Sequence, residues 1–332
     1  MKTQEEIARK LNISQKTVSR VLNGSPLVKE ATREKVLHEI ENSGYSLNLN
    51  ARNLTLNKCG AVGILAPVDN TIESIYFTKG LQGISESLRG ASDNMLLINA
   101  ENKEDAFQKL RMEINRVDGM IVFNLNSVWS YIDGIVDFLE KSSKKYAIIN
   151  YTDKSKKSGI FISIDNVKGG MDATSYLMSL GHKKIAFLGK DKRWTEIEAR
   201  YQGYCKALKN AGLPLNNKWI LGANVDNMAN ELKAVFSSGD APTAIFARSD
   251  KYARLAIYEL KAMGLKVPED ISIIGFDDSN FAIMSAPQIS TLRQPVYEAG
   301  KAAVEFISQN DPKGGNIVLN PSLIERDSCK KY

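Results

Sequence analysis

The 332-residue chain is predicted to form an all-α head followed by an α/β body of two doubly wound, parallel-sheet subdomains. Three features carry that expectation. The first 45 residues hold three short helical patterns and no strand-like run. A polar, asparagine-rich stretch follows them. After Cys59, apolar runs such as AVGIL at 61, GMIVF at 119 and ISIIG at 271 alternate with amphipathic stretches, the punctuation of βαβ units whose strands are covered on both faces.

In the head, the first helix is expected over Gln4 to Leu11, the second over Ser14 to Asn23, and the third over about Glu30 to Ser43, with Gly44 as its stop. Their apolar positions converge on one miniature core: Ile7, Ala8 and Leu11, then Ile13, then Val18, Val21 and Leu22, then Val36, Leu37 and Ile40. Only Asn12 and Ile13, with the capping Ser14, separate the first two helices, which is the length of a helix-turn-helix corner. Val18, Val21 and Leu22 fall at i, i+3 and i+4 and give the second helix an inner stripe. On the opposite arc lie Lys16, Arg20 and Asn23, with Gln15 at the N-terminal end. In isolation such an arc reads as a solvated face.

Tyr45 to Lys58 reads as a linker containing four asparagines; within it Asn50 to Leu54 can form a turn or two of helix, too short to persist without a docking surface. Further strands are expected at MLLIN (95), YAIIN (146), FISI (161), IAFL (185) and TAIF (243), and DKSKKSG at 153 reads as an exposed loop. So many parallel strands fit two subdomains better than one sheet. A ligand then binds at the C-terminal ends of the strands.

Composition narrows the function. Residues 1–58 carry ten Lys/Arg against six Glu and no Asp, so +4 of the net +6 sits in the head; that asymmetry favours an acidic partner such as nucleic acid. Cys59, Cys205 and Cys329 are odd in number and far apart, which argues against disulfides or zinc, and His38 and His182 are the only histidines. No signal-peptide core and no apolar run of about 18 residues is present, so a cytoplasmic protein with no membrane role is expected. There is no GxGxxG after a strand, no GxxxxGK[ST] and no GxSxG, so no enzyme, cofactor or metal site is expected.

Several strings then occur together and in order: EEIARKLNISQKTVSRVLNG, TREKV, GY, ARNL, VDGMIVF, the Asp165–Asn166 pair, LGHKKIAFLG, RYQGY, PTAIFA, GLKVPEDISIIGFDD and STLRQP. Over essentially the whole chain they resemble the LacI/GalR family of bacterial transcription regulators. The resemblance implies a periplasmic-binding-protein-like body and a ligand-responsive regulator, most simply a repressor of carbohydrate-utilisation genes. It implies a homodimer, or a dimer of dimers as a tetramer, whose paired heads bind a pseudo-palindromic double-stranded DNA operator, and a sugar or related metabolite as effector. No heptad tail follows Arg326, which favours the dimer. The implied domains are a helix-turn-helix head, 1–45; a hinge, 46–59; an N-terminal subdomain, 60–163 plus 291–321; and a C-terminal subdomain, 164–290 plus 322–332. The competing reading is a cytoplasmic metabolite-binding protein with no regulatory DNA role.

By position, Gln15, Lys16 and Arg20 match base-reading residues of the family, and Ser14, Thr17, Ser19 and Asn23 match residues that contact phosphate and set register. Leu54 matches a wedge inserted in the minor groove, with Asn48, Ala51 and Arg52 as its neighbours. Arg200 and Asp277 match positions that touch polar groups of the effector, and Phe77 matches an aromatic that stacks on a sugar face. Trp194, Asn150 and Ser249 are placed in the same cleft. Competing readings stay open: packing for Thr17 and Leu54, a phosphate contact for Lys16, a structural salt bridge for Arg200 with Asp277; for Trp194 the packing role is preferred. The chain also departs from the family. Leu47 stands for the usual proline before the hinge, Lys29 for a serine cap, and Ser74–Ile75 for Asn-Pro, while Asn150 and Ser249 replace the Asp and Asn often found there.

Overall fold

The computed structural model describes residues 3–22, 25–44, 58–67, 75–89, 94–124, 131–152, 155, 157–237 and 239–332. The chain divides into two compact units, Met1–Cys59 and Gly60–Tyr332.

The first unit contains α1 (Gln4–Lys10), α2 (Gln15–Leu22) and α3 (Glu30–Ser43). Thr3 opens α1 with a capping box, its hydroxyl accepting from Glu6 N while the Glu6 carboxylate accepts from Thr3 N. Gly44, at φ 65°, ends α3 in the left-handed region that glycine enters without strain. Ile7, Ala8, Val18, Val21 and Val36 make the core, with Leu11, Ile13, Leu22, Val28 and Ile40 against it. Leu37 is a correction: it is 45% exposed. Val36 and Ile40 share the inward direction at i, i+4, and Leu37 is turned about 100° away from it. The position beside the core goes instead to Glu39, buried and paired with Lys10 Nζ at 2.7 Å.

Lys29 occupies the cap of α3 and makes no side-chain cap bond. A hydroxyl there would satisfy an orphan amide of the first turn. Lys29→Ser should therefore stabilise the head by about 1 kcal/mol, seen as slower amide hydrogen exchange along α3 in the full chain. Unchanged exchange would show that the first turn is already satisfied.

The second unit begins with β1 (Ala61–Pro67), α4 (Ile75–Arg89), β2 (Asn94–Ala100), α5 (Lys103–Glu113), β3 (Gly119–Phe123), α6 (Ile132–Lys141), β4 (Lys145–Ile149) and β5 (Ile160–Ile164). It continues through α7 (Asn166–Ser179), β6 (Ile185–Lys190), α8 (Thr195–Asn210), β7 (Ile220–Gly222), α9 (Met228–Phe236), β8 (Ala244–Ala247), α10 (Asp250–Ala262) and β9 (Ser272–Asp277). It closes with α11 (Asn280–Ile283), β10 (Ser290–Arg293), α12 (Val296–Ser308), β11 (Gly315–Leu319) and β12 (Ser322–Ile324).

Among the described residues, two six-stranded sheets result. One has the order β11-β5-β4-β3-β1-β2 and is parallel throughout; the other has the order β12-β10-β9-β8-β6-β7 and is parallel except for the antiparallel edge strand β12. Apolar layers cover both faces of each sheet, as continuous strands such as GMIVF require. The chain passes between the sheets after β5, after β10 and between β11 and β12. The second passage lies beyond Arg293 and not at the expected boundary of 291, because Ser290–Arg293 pair in register with Ile274–Asp277 of β9.

One close approach matters for the site. A Cβ on Gly203 of α8 would stand 2.1 Å from the Val167 carbonyl oxygen of α7, and one on Gly170 would stand 2.1 Å from the Arg200 carbonyl oxygen. Glycine at both positions lets the two helices touch through backbone. That contact sets Arg200 beside the start of α7.

Candidate functional site

In the head, Asn12 takes φ 53°, a left-handed conformation that asparagine tolerates, and so turns the chain between α1 and α2. Ser14 then caps α2: its Oγ accepts from Thr17 N at 3.1 Å and lies 2.8 Å from Thr17 Oγ1. Val18 and Val21 are buried, which fixes the rotation of the helix about its axis. Gln15, Lys16 and Arg20 stand exposed as a consequence, and Thr17 and Ser19 are half-buried. The face thus presents long side chains with amide and cationic donors near the N-terminal end of an α-helix, an element that a DNA major groove admits. Asn23, Asn48, Ala51, Arg52 and Leu54 lie outside the described residues.

In the second unit, the ends of the strands carry charge. Arg200 is 5% exposed and spreads its donors over three acceptors: Nε to Asn166 Oδ1 at 2.9 Å, Nη1 to the Arg248 carbonyl at 2.6 Å, and Nη1 to Asp277 Oδ1 at 3.4 Å. Its guanidinium also lies 3.7 Å from the centroid of the Phe276 ring. Asp277 ends β9 at φ 110°, and it accepts from Gln294 Nε2 at 2.7 Å. Burial raises the Asp277 carboxyl above the ordinary carboxylate range while the Arg200 charge opposes this; burial likewise lowers Arg200. The second aspartate of GFDD is committed elsewhere, bonded by Arg293 Nε at 2.6 Å and Arg326 Nη2 at 2.5 Å.

Across from this cluster, Asn124 and Asn150 follow β3 and β4 and bond reciprocally, Asn124 Nδ2 to the Asn150 carbonyl at 3.0 Å and Asn150 Nδ2 to the Asn124 carbonyl at 2.9 Å. Asn150, at φ 67°, also donates to Glu196 on α8, which ties the first subdomain to the second. Both asparagines and Glu196 line a cavity of about 610 Å³, together with Asp165, Asn166 and Thr195. A volume of that size suits a small-molecule ligand.

Three expected effector residues need correction or narrowing. Phe77 is 1% exposed and packs edge-on against Phe123, centroids 4.9 Å apart, inside the core. It has no face to offer a sugar. Phe77, Leu81, Ile84 and Leu88 recur at i, i+4, i+7 and i+11, a helical stripe that marks a core position. Its neighbour Tyr76 is turned otherwise: its hydroxyl is buried without a partner among the described residues, and Glu196, Arg200 and Asp277 all act on it electrostatically. Trp194 precedes α8 and packs on the second subdomain's core. Ser249 is half-buried at the start of α10 and makes no cap bond there. The motifs therefore pointed to Arg200, Asp277 and Asn150 and passed over Tyr76, Asn124, Asn166 and Glu196. The spacing of YF in helix α4 would have identified Tyr76. Nothing local in sequence marks Asn124 or Glu196.

Asp250, at the start of α10, is fully buried beneath this cluster. It accepts from Ser279 N at 2.7 Å, Ser279 Oγ at 3.0 Å and Thr291 Oγ1 at 2.6 Å, yet burial and the nearby Asp277 push its pKa up to about 7. The folded state thus holds this proton more tightly than the unfolded chain, where the value is near 3.8. The associated stability is present below about pH 4 and lost as pH rises through about 7. Asp250→Asn, which carries no charge to ionise, should gain on the wild type in thermal melts as pH is raised across that window. A difference between the two proteins that does not change with pH would contradict this.

His182 is buried against Thr243, Ser272 and the Lys330 carbonyl, a structural arrangement. Among the described residues no group of acidic, histidine and cysteine side chains is arranged to hold a metal.

Residues 3–48 match the sequence model for bacterial regulatory proteins of the lacI family, and residues 174–329 match that for the periplasmic binding protein-like domain. Catabolite control protein A of Priestia megaterium is 31% identical over 334 residues, covering 98% of this chain and 98% of its own. Two solved structures share the fold. A complex of the transcriptional regulator CelR with cellobiose has TM-score 0.68 at 24% identity, covering 99% of this chain and 100% of its own. The lac repressor dimer bound to operator and the anti-inducer ONPF has TM-score 0.72 at 21% identity, covering 99% of both chains.

Proposed function

We propose, for a chain that belongs to the lacI family of bacterial regulatory proteins, that it represses carbohydrate-utilisation genes from a pseudo-palindromic operator and is controlled by a small carbohydrate held between its two sheets. As a member of that family it is a sequence-specific, DNA-binding transcriptional regulator and not an enzyme. On this reading α2 lies in the major groove, with Gln15, Lys16 and Arg20 reading bases and Ser14, Thr17 and Ser19 setting register on the phosphates. The protein works in the cytoplasm, where its DNA lies. Among the described residues no helix is long and apolar enough to cross a membrane.

The observation that carries the carbohydrate reading is the chemistry of the cavity. Asn124, Asn150, Asn166 and Glu196 offer both donors and acceptors around about 610 Å³, and a sugar hydroxyl uses both at once. The complex of CelR with cellobiose, on the same fold, supports the same ligand class. Pairing of two copies is supported by exposed apolar side chains on α10, on α11 and directly after it, namely Tyr258, Phe281, Ile283 and Met284, since exposed apolar surface is what a protein interface covers.

The test is selection of bound duplexes from a random library by the full chain, then a mobility shift of the selected site against a panel of sugars. Enrichment of an inverted repeat whose affinity one sugar changes is the expected result. If no sequence is enriched, or only nucleobases alter the shift, the proposal fails.

A further inference from the structure

The aromatic side chains that the motifs directed to a ligand lie elsewhere: Phe77 is in the core of the first subdomain, and Trp194 packs on that of the second. A different aromatic side chain, Tyr151, lines the cavity of about 610 Å³. Its position follows from the end of β4. The strand runs Lys145–Ile149, Asn150 then turns at φ 67°, and Tyr151 comes next. That left-handed turn ends the alternation of the strand. Tyr151 accordingly stays half-buried at the margin of the first subdomain's core.

The ring is held at two points. Its hydroxyl donates to Asp133 Oδ1 on α6, and its centroid lies 5.8 Å from that of Phe161 on β5, with the planes 52° apart. A ring fixed by one polar and one apolar contact keeps its orientation without a ligand, which lowers the ordering cost of binding. The lining around it is of two kinds. Ile132, Ile164 and Val318 add apolar surface, whereas Asn124, Asn166 and Thr152 add amides and a hydroxyl. A closed sugar ring has the same division, with C–H groups on its faces and hydroxyls around its edge. An aromatic ring suits the first, and amides and hydroxyls suit the second.

We infer that Tyr151 is the stacking platform for the effector, so that the cleft selects carbohydrates with a closed ring over open-chain polyols bearing the same hydroxyls. The inference rests on the carbohydrate reading of the cleft and deepens it. A hexitol carries comparable hydrogen-bonding groups but has no fixed C–H face to lay on Tyr151, and it gives up rotational freedom along its chain in order to fit. Hydrogen bonds alone do not separate the two classes. The aromatic contact does.

The full-length protein should be titrated by calorimetry with glucose, galactose, maltose, lactose and cellobiose, and with the hexitols glucitol, galactitol and mannitol. The expected result is binding by at least one ring sugar, with every hexitol weaker by about tenfold or more, the scale of one lost aromatic contact. Tyr151→Phe keeps the ring and gives up the bond to Asp133, and should bind that sugar within about threefold of the wild type. Tyr151→Leu keeps apolar volume and gives up the ring, and should bind it about tenfold more weakly. At saturating sugar, magnetisation transferred from the protein's aromatic protons should reach the sugar's C–H protons in the wild type and in Tyr151→Phe and fade in Tyr151→Leu, a readout that a purely structural role of Tyr151 leaves unchanged. Should Tyr151→Leu fail to fold, the hexitol comparison still decides. A hexitol bound as tightly as the best sugar, wild-type affinity in Tyr151→Leu, or an equal loss in Tyr151→Phe and Tyr151→Leu overturns the inference and leaves the carbohydrate reading standing. Binding of no sugar in the panel overturns the carbohydrate reading and this inference with it.

Discussion

Replacing Arg200 by methionine should destabilise the body by about 3–5 kcal/mol, the usual cost of leaving a buried charge without its partner. Methionine preserves much of the side-chain volume and removes the donors. Asp277 then keeps its bond from Gln294 and the weaker influence of the Arg248 charge, and the Asn166 amide oxygen and Arg248 carbonyl lose their bonds from Arg200. The loss should be smaller at pH 5 than at pH 8. Burial already raises the Asp277 pKa, removal of the guanidinium raises it further, and a protonated carboxyl needs no cation. The double variant Arg200→Met with Asp277→Asn should recover most of the loss. Chemical denaturation at the two pH values measures all of this; a loss below about 1 kcal/mol, the level of an exposed pair, would mean that the cluster is not held by charge.

Arg20→Ala should weaken binding to the selected operator by about 1–3 kcal/mol for each head, the range for a bidentate base contact. Affinity for random duplex should change far less, because the phosphate contacts assigned to Ser14, Thr17 and Ser19 are untouched. Val18 and Val21 hold α2 in place and neither touches solvent to any extent, so the fold of the head should survive the substitution. Mobility shifts on operator and random duplex at one salt concentration check the prediction. Equal losses on both would move Arg20 from the bases to the backbone.

Most of the architecture was legible because its signals are local. Helical spacing marked α1, α2 and α3 to within a residue or two, and continuous apolar runs marked the central strands of both sheets. β7, β10, β11 and β12 were not among the expected strands. β7, β11 and β12 are short or half-exposed edge strands, as in GNIVL, and β10 is a four-residue strand of mostly polar residues, STLR; their partners rather than their composition make them strands. The outer face of α2 was legible for the same local reason: once Val18 and Val21 are inside, Lys16 and Arg20 have to be outside.

The cleft was legible only in part. Arg200 and Asp277 lie in distinctive strings, RYQGY and GFDD, yet their contact at 3.4 Å joins two elements 77 positions apart. Phe77 was drawn to the ligand by its place in a motif and belongs to the core by its place on a helix. Composition and periodicity by themselves determined a basic helical head, a pair of parallel sheets and which faces turn inward, because those depend on neighbours three or four residues away in a helix or two away in a strand. Tertiary structure alone decided that Asn124, Asn150 and Glu196 meet across one cavity, and that Tyr76 rather than Phe77 lies within the field of Glu196, Arg200 and Asp277. Charge and hydrogen bonding act through space, and the distances that set their strength are fixed only when the chain has closed on itself.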